Sequence, residues 1–452
     1  MTWKTKSGFG IAEIGLSVVE LMLQIYLLEL YVVAGLGPLL AGLALALAVV
    51  WDAVSDPLMG VISDQTKAST AVGKRLPYFF VGSALLGIAF AYLFNPPVSS
   101  DQWSLFLYLL GMYLLLNTSL TLVGVPHLAI VNDLSESKEE RADLFSWRLV
   151  CGALGLLLGL SVPLVIASVL SQQGLEESQS LLLENRRISG LLIGASATVL
   201  SVITGFAVWK PLRAVQTIKL VTKGTRFSLE QLTVAFKSRT FILVTVGFVF
   251  IALGRAFNSS LALFYYKFRL GFSEMQVGAL LLVLTIVLMA AVPVWLKLSR
   301  RFEKRALCLW GILALTMLTA IAYPLLPPGK LWPVLVVAGL GGSLVACVAL
   351  LESLFSDVVD EDEAYRGVAL SGAYYGLWKM ATKIARALGL VASGLLLYAI
   401  GFVEGSIEQT VAVQRGIAWA FGPGVAIFFG LSAWFIFRSN PPVRTKSSVL
   451  TS

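Results

Sequence analysis

Leu39-Leu40-Ala41-Gly42-Leu43-Ala44-Leu45-Ala46-Leu47-Ala48-Val49-Val50 is an unbroken apolar run, and Trp51-Asp52-Ala53-Val54-Ser55-Asp56-Pro57-Leu58-Met59-Gly60 prolongs it before any loop begins. Together they exceed the roughly 20 residues that a helix needs to cross a bilayer. Comparable runs recur, among them Leu105–Leu116 and Leu335–Leu351. Hydrophobic types make up 57% of the 452 residues, while Asp, Glu, Lys and Arg make up 13%. A soluble chain of this length needs far more charge to cover its surface. The apolar windows also recur too often for a secretory signal ahead of a soluble domain. The reading is an all-α polytopic membrane protein.

Twelve spans are predicted, at about 8–33, 38–62, 77–95, 103–131, 149–170, 188–209, 240–266, 274–296, 306–325, 332–355, 367–400 and 414–437. Breaker clusters such as Gly35-Leu36-Gly37-Pro38, Asn95-Pro96-Pro97 and Pro327-Pro328-Gly329 separate them. Trp209-Lys210-Pro211 is expected to end span six. It opens the longest connection, which divides the chain into an N-terminal six-helix half (1–209), a central loop (210–239), a C-terminal six-helix half (240–437) and a tail (438–452). Basic loops, Ser63–Arg75 and Lys297–Arg305, follow the second span of each half, as an internally repeated transporter would have them. Lys and Arg concentrate in the tails and in the loops after even-numbered spans. Arg186, Arg187, Lys267, Arg269, Lys330 and Arg415 fall in the opposite loops. This bias puts both termini in the cytoplasm, in a multi-pass protein of the cell membrane, or of the inner membrane if the source is Gram-negative. The formal charge of +8 follows from that topology, and no zinc-finger or RNA-binding signature accompanies it, so no nucleic-acid partner is expected.

Cys151, Cys308 and Cys347 all fall within spans, which argues against a disulfide scaffold or a metal cluster. His127, the single histidine, reads as a hydrogen-bonded structural residue at the inner end of span four, with a coupling or gating role as the alternative. No hydrolase-type triad or phosphate loop is apparent, so neither enzyme chemistry nor a cofactor is expected.

The informative residues are the charges inside apolar spans. Asp52 and Asp56 are four apart and share one helix face. Two unpaired carboxylates at membrane depth demand a polar cavity, a cation or a basic partner. Oxygen ligands suit Na⁺, and Ser55 adds one more; H⁺ coupling would instead need one raised carboxyl pKa. Pro57 lacks an N–H and frees a carbonyl nearby that would assist a cation, with a simple packing kink as the alternative. On span eleven, Lys379, Lys383 and Arg386 lie along one face, with Lys383 deepest and the best counter-charge for the acids. Glu20 on span one and Arg255 with Asn258 on span seven are further candidates for the substrate pathway, as are Lys379 and Arg386. Glu29, near the outer end of span one, is expected to meet water. Asp64, Arg75, Glu140, Arg141 and Arg148 are candidates for a cytoplasmic gate, against plain headgroup contact.

At this point the sequence resembles the glycoside–pentoside–hexuronide cation symporters of the major facilitator superfamily, which include the melibiose permease. The resemblance rests on Trp51-Asp52-Ala53-Val54-Ser55-Asp56-Pro57-Leu58-Met59-Gly60, Gly73-Lys74-Arg75 with Pro77, Val125-Pro126-His127, Glu140-Arg141, Arg148, Ser356-Asp357-Val358-Val359-Asp360 and Gly376-Leu377-Trp378 with Lys383, in this order along nearly the whole chain. It implies a major-facilitator-like fold, with Asp52 and Asp56 holding the coupling cation (a possible Na⁺ site) and Ser55 and Thr121 as added polar groups. It also implies Arg148 near the cytoplasmic gate and Lys383 paired with the acids. Arg386 lies outside that pattern.

The sugar-binding pattern departs from the family. By the register of Gly8-Phe9-Gly10, the first-span aspartate falls at Gly15, the fourth-span aspartate at Gly124 and the nearby tryptophan at Leu128. A disaccharide needs polar groups to replace water at its hydroxyls. The expected function is therefore cation-coupled symport, with Na⁺ or H⁺, of a glycoside, uronide or other small polar solute by alternating access. The alternatives are Na⁺-dependent lysolipid transport, a channel, and a membrane receptor or scaffold. Membrane lipids are the remaining partners, and a monomer is expected.

Overall fold

The computed structural model describes residues 2–66, 75–97, 101–135, 137–172, 179–216, 238–366, 371–406 and 408–439. Most of the expected central loop, nearly all of the tail and the side chain of Asp64 lie outside the described residues.

Among the described residues there are twelve helices long and apolar enough to cross a membrane: Trp3–Val33, Pro38–Ser63, Leu76–Leu93, Gln102–Val131, Glu139–Gln172, Gln179–Leu212, Arg239–Arg269, Glu274–Leu298, Lys304–Leu325, Leu331–Ala364, Tyr374–Ala399 and Val411–Arg438. The chain is all-α with major-facilitator-like packing. Local chemistry sets several ends. Asp101 caps span four by accepting from the Ser104 amide at 2.8 Å and its hydroxyl at 2.5 Å, bonds that hold the Asp101 carboxyl below its usual range. Pro38 and Pro77 sit in the first turns of spans two and three, where the missing N–H costs nothing.

Three boundaries differ from expectation. The sixth helix does not stop at Pro211 but runs through it to Gln216; proline removes one N–H and crowds one carbonyl, and the flanking turns tolerate this. The sixth span begins at Gln179, which puts Arg186 and Arg187 inside it rather than in a loop. Lys267 and Arg269 belong to a π-helical turn, Tyr265–Arg269, that ends span seven.

Small residues set the closest helix contacts, as expected where lipid is as apolar as the protein interior and close packing drives association. A Cβ on Gly87 of span three would lie 2.6 Å from the Gly194 carbonyl oxygen of span six. Gly87→Val is therefore expected to cost about 1–3 kcal/mol and to lower the unfolding midpoint in detergent. Gly111→Ala, where nothing lies within 4 Å, serves as the silent control; equal midpoints for both variants would contradict this packing.

The chain forms two compact units. The first comprises Met1–Lys223, Ser259–Leu282 and Leu390–Ile417; the second comprises Gly224–Asn258, Val283–Gly389 and Ala418–Ser452. Within the first unit, the tips joining spans seven to eight and eleven to twelve pack with the first six spans. The Gly405 amide donates to the Val32 carbonyl at 3.1 Å, Gln24 donates to Ser259 at 3.2 Å, and a Cβ on Gly42 would meet the Leu390 carbonyl oxygen at 2.8 Å.

A carboxylate and hydroxyl cluster as the candidate functional site

Span two presents Asp52, Ser55 and Asp56 on one face, and Thr121 of span four meets them. The two helices are held in register by the Asn117 amide, which donates to the Ala48 carbonyl at 2.7 Å, and by the Trp51 indole, which donates to Thr118 at 3.0 Å. Thr121 Oγ1 lies 3.0 Å from Asp56 Oδ1, 3.5 Å from Asp52 Oδ1 and 3.1 Å from Ser55 Oγ. Ser55 and Thr121 are buried and the two carboxylates half-buried. Two carboxylates and two hydroxyls thus meet on facing sides of spans two and four. Such a cluster favours a cation or a shared proton. Pro57 leaves the Ala53 carbonyl without its helical donor one turn away. Among the described residues no three His, Cys, Asp or Glu side chains come together; this set is two carboxylates with two hydroxyls.

The gate candidates that can be described pair within the first unit. Arg148 grips Glu13 with both nitrogens, Nε at 2.5 Å and Nη2 at 3.0 Å. Arg75, nearly buried, pairs with Asp133 at 2.9 Å. Arg141 Nε reaches Ser135 Oγ at 3.5 Å, and the Glu140 amide donates to Ser137. His127 is fully buried, with Nε2 2.9 Å from the Phe9 carbonyl oxygen and the tilted Phe9 ring 4.3 Å from its own, which fits the structural reading. Glu20 is accessible on span one. Lys379, Lys383, Arg386, Arg255 and Asn258 belong to the second unit; Lys379 and Arg255 are accessible, and Lys383, Arg386 and Asn258 are half-buried.

Sequence reasoning missed a second cluster. Glu29 is not at water: it is fully buried, because Arg186, Lys267 and Glu274 close around it. Arg186 Nη2 lies 3.3 Å from Glu29 and 2.9 Å from Glu274, Lys267 bonds both acids, and the Arg186 guanidinium sits 4.2 Å above the Tyr26 ring. The hint available in sequence was that apolar turns follow Arg186 and precede Lys267. Glu352 of span ten was also missed. Gly15, at the register of the family's first-span aspartate, is a packing position: its Cβ would fall 2.7 Å from Ala197 Cα. Gly124 faces open space.

The chain matches the family profile described as MFS/sugar transport protein over residues 8–440. It belongs to that family. The relatives include an uncharacterized symporter of Synechocystis sp., 26% identical with 93% of this chain and 90% of that protein covered. The sodium-dependent lysophosphatidylcholine symporter 1-B of Danio rerio is 25% identical, covering 93% and 82%. The glucuronide carrier protein homolog of Escherichia coli is 23% identical, covering 92% and 88%. Among solved structures, a bacterial homologue of the human lysosomal transporter Spinster superposes with a TM-score of 0.66 at 15% identity, covering 96% and 95%; this likeness concerns fold alone. The protein is thus a secondary transporter of the major facilitator superfamily that moves small solutes by alternating access, and it is not an enzyme.

Proposed function

We propose that this MFS transporter is a cation-coupled symporter of a small polar solute, in the manner of the glycoside–pentoside–hexuronide symporters, with Asp52, Ser55, Asp56 and Thr121 holding Na⁺ or H⁺. The observation that carries the reading is the oxygen cluster around Thr121, 3.0 Å from one carboxylate and 3.5 Å from the other. Lys383 serves as counter-charge when the cation is absent. The halves 1–209 and 240–437 move against each other, with both termini in the cytoplasm.

A glycoside or uronide is the first reading for the solute, from the glucuronide carrier relative. A lysolipid is the second, from the lysophosphatidylcholine symporters. Gly15, wedged against Ala197, weighs against melibiose-like binding. Purified protein in sealed liposomes, given a solute panel under separate Na⁺ and H⁺ gradients, is expected to show uphill uptake with one gradient; passive equilibration of every solute, or sustained current, would reject symport.

At the cytoplasmic side, Arg75–Asp133 and Glu13–Arg148 stiffen the first unit and leave Arg141 as the more exposed basic group for gating. Arg141→Glu is expected to change the balance of inward-open and outward-open states in paired-label distance measurements more than it changes solute affinity in a fixed state. Unaltered distance distributions would remove Arg141 from the gate.

A further inference from the structure

Phe241, Phe248 and Arg255 follow one another at seven-residue steps, so they form a single stripe along span seven. The lower part of that stripe faces spans ten and eleven: Phe241 packs 5.8 Å from Phe355 and 4.5 Å from Tyr374, and Phe248 packs 4.8 Å from Trp378. Arg255 is the next residue along it, about 10 Å beyond Phe248 at 1.5 Å per residue. On span ten, Phe355 stacks on Trp378 at 5.2 Å, and Glu352 lies one turn further along on the same side of this aromatic floor. All of these residues belong to the second unit.

Both side chains are accessible, and each lies within electrostatic reach of the other. Among the described residues neither Arg255 nor Glu352 makes an ion pair or a hydrogen bond; Arg255 sits in the middle of its apolar span and Glu352 directly follows the apolar run Leu335–Leu351. Charges within or bordering the hydrocarbon are costly unless they pair or face a solute or water. Here they stand apart, with an aromatic surface beside the acid.

We propose that Arg255 and Glu352 form a binding site for a net-neutral zwitterionic solute: an oxyanion group on Arg255 and a cationic nitrogen on Glu352 beside the rings of Phe355 and Trp378. Arg offers a planar fork matched to carboxylate or phosphate oxygens. An acid next to aromatic faces favours an ammonium centre. A plain anion is drawn to Arg255 and repelled by Glu352, and a neutral polyol offsets neither charge. The same chemistry occurs in a free betaine and in the headgroup of a zwitterionic lysolipid. The inference rests on the cation-coupled symport reading above and puts a zwitterion in place of the glycoside or uronide as its solute.

The test uses the full chain. Binding is measured in detergent with glycine betaine, glycerophosphocholine, lysophosphatidylcholine, glucuronate and methyl glucoside, and coupling is measured separately in liposomes. At least one zwitterion is expected to bind while glucuronate and methyl glucoside do not compete. Betaine or glycerophosphocholine binding points to a free solute, and binding of lysophosphatidylcholine alone points to a lysolipid. Arg255→Gln and Glu352→Gln are each expected to weaken that binding by about tenfold to a hundredfold, with unchanged elution and unfolding midpoints. The exchange Arg255→Glu with Glu352→Arg is expected to recover part of it. Tighter binding of glucuronate or methyl glucoside, no zwitterion binding by the wild type, or wild-type affinity in both single variants overturns the site. If zwitterions bind as expected but no gradient drives their uptake, the symport reading fails instead.

Discussion

Asp52→Asn and Asp56→Asn are each expected to abolish gradient-driven accumulation, leaving solute at its equilibrium distribution while downhill exchange persists. The reason lies in the cluster's charge. Asp56 and Asp52 stand 3.0 Å and 3.5 Å from the same Thr121 hydroxyl, and the negative charge of the pair is what attracts a cation. An amide is isosteric but brings its own N–H donors and no charge, which removes the attraction without removing the shape. Coupling is reciprocal: a cation that tightens solute binding must itself bind more tightly when solute is present. Both faces of that linkage should vanish in the neutral variants. Thr121→Val, which deletes only a hydroxyl, is expected to weaken cation affinity by a few-fold to about tenfold. Uptake by liposomes under Na⁺ and H⁺ gradients decides the matter. Should either Asn variant keep wild-type accumulation with the same cation dependence, the acids are structural and the coupling site lies elsewhere.

The second large effect is expected at the buried quartet. Glu29, Arg186, Lys267 and Glu274 carry two charges of each sign, supplied by spans one, six, seven and eight. Glu274→Gln leaves one acid facing two bases out of water. Breaking a buried pair by removing one partner costs about 3–5 kcal/mol, which is a factor of more than a hundred in a conformational equilibrium. The arrangement penalised is the one in which the tip between spans seven and eight packs with the first six spans. With the termini cytoplasmic, as proposed, that tip is at the outer face, and the variant should open it. Ala262→Cys, at a position buried beside this tip, in a background whose three native cysteines are replaced, should react with a membrane-impermeant maleimide far faster in Glu274→Gln than in the parent. Glu274→Gln combined with Lys267→Met returns the cluster to balance and should slow the reaction again. Equal labelling in all three would show that the quartet does not hold the tip closed.

Much of the fold was legible because crossing a membrane is a local demand. Twenty or so apolar residues with their backbone bonds closed internally make a helix whatever surrounds them, so the runs around Leu39–Val50 and Leu105–Leu116 placed spans two and four correctly. The acid pair was legible for the same kind of reason, since residues four apart share a helix face in any helix. Beyond the apolar turns after Arg186 and before Lys267, nothing in the sequence indicated that Glu29 would be dry. Lys267 is 238 residues from Glu29, and their pairing exists only once four helices meet. Hydropathy cannot supply it, because lipid and protein interior are equally apolar and a window reads the same against either. By itself the sequence therefore determined that there are twelve spans, the family and the acid pair on one face of span two. Only the packed helices decided that Gly15 is a contact with Ala197, how far Thr121 stands from each acid, and that four distant charges neutralise one another, because burial and pairing are properties of neighbours and not of windows.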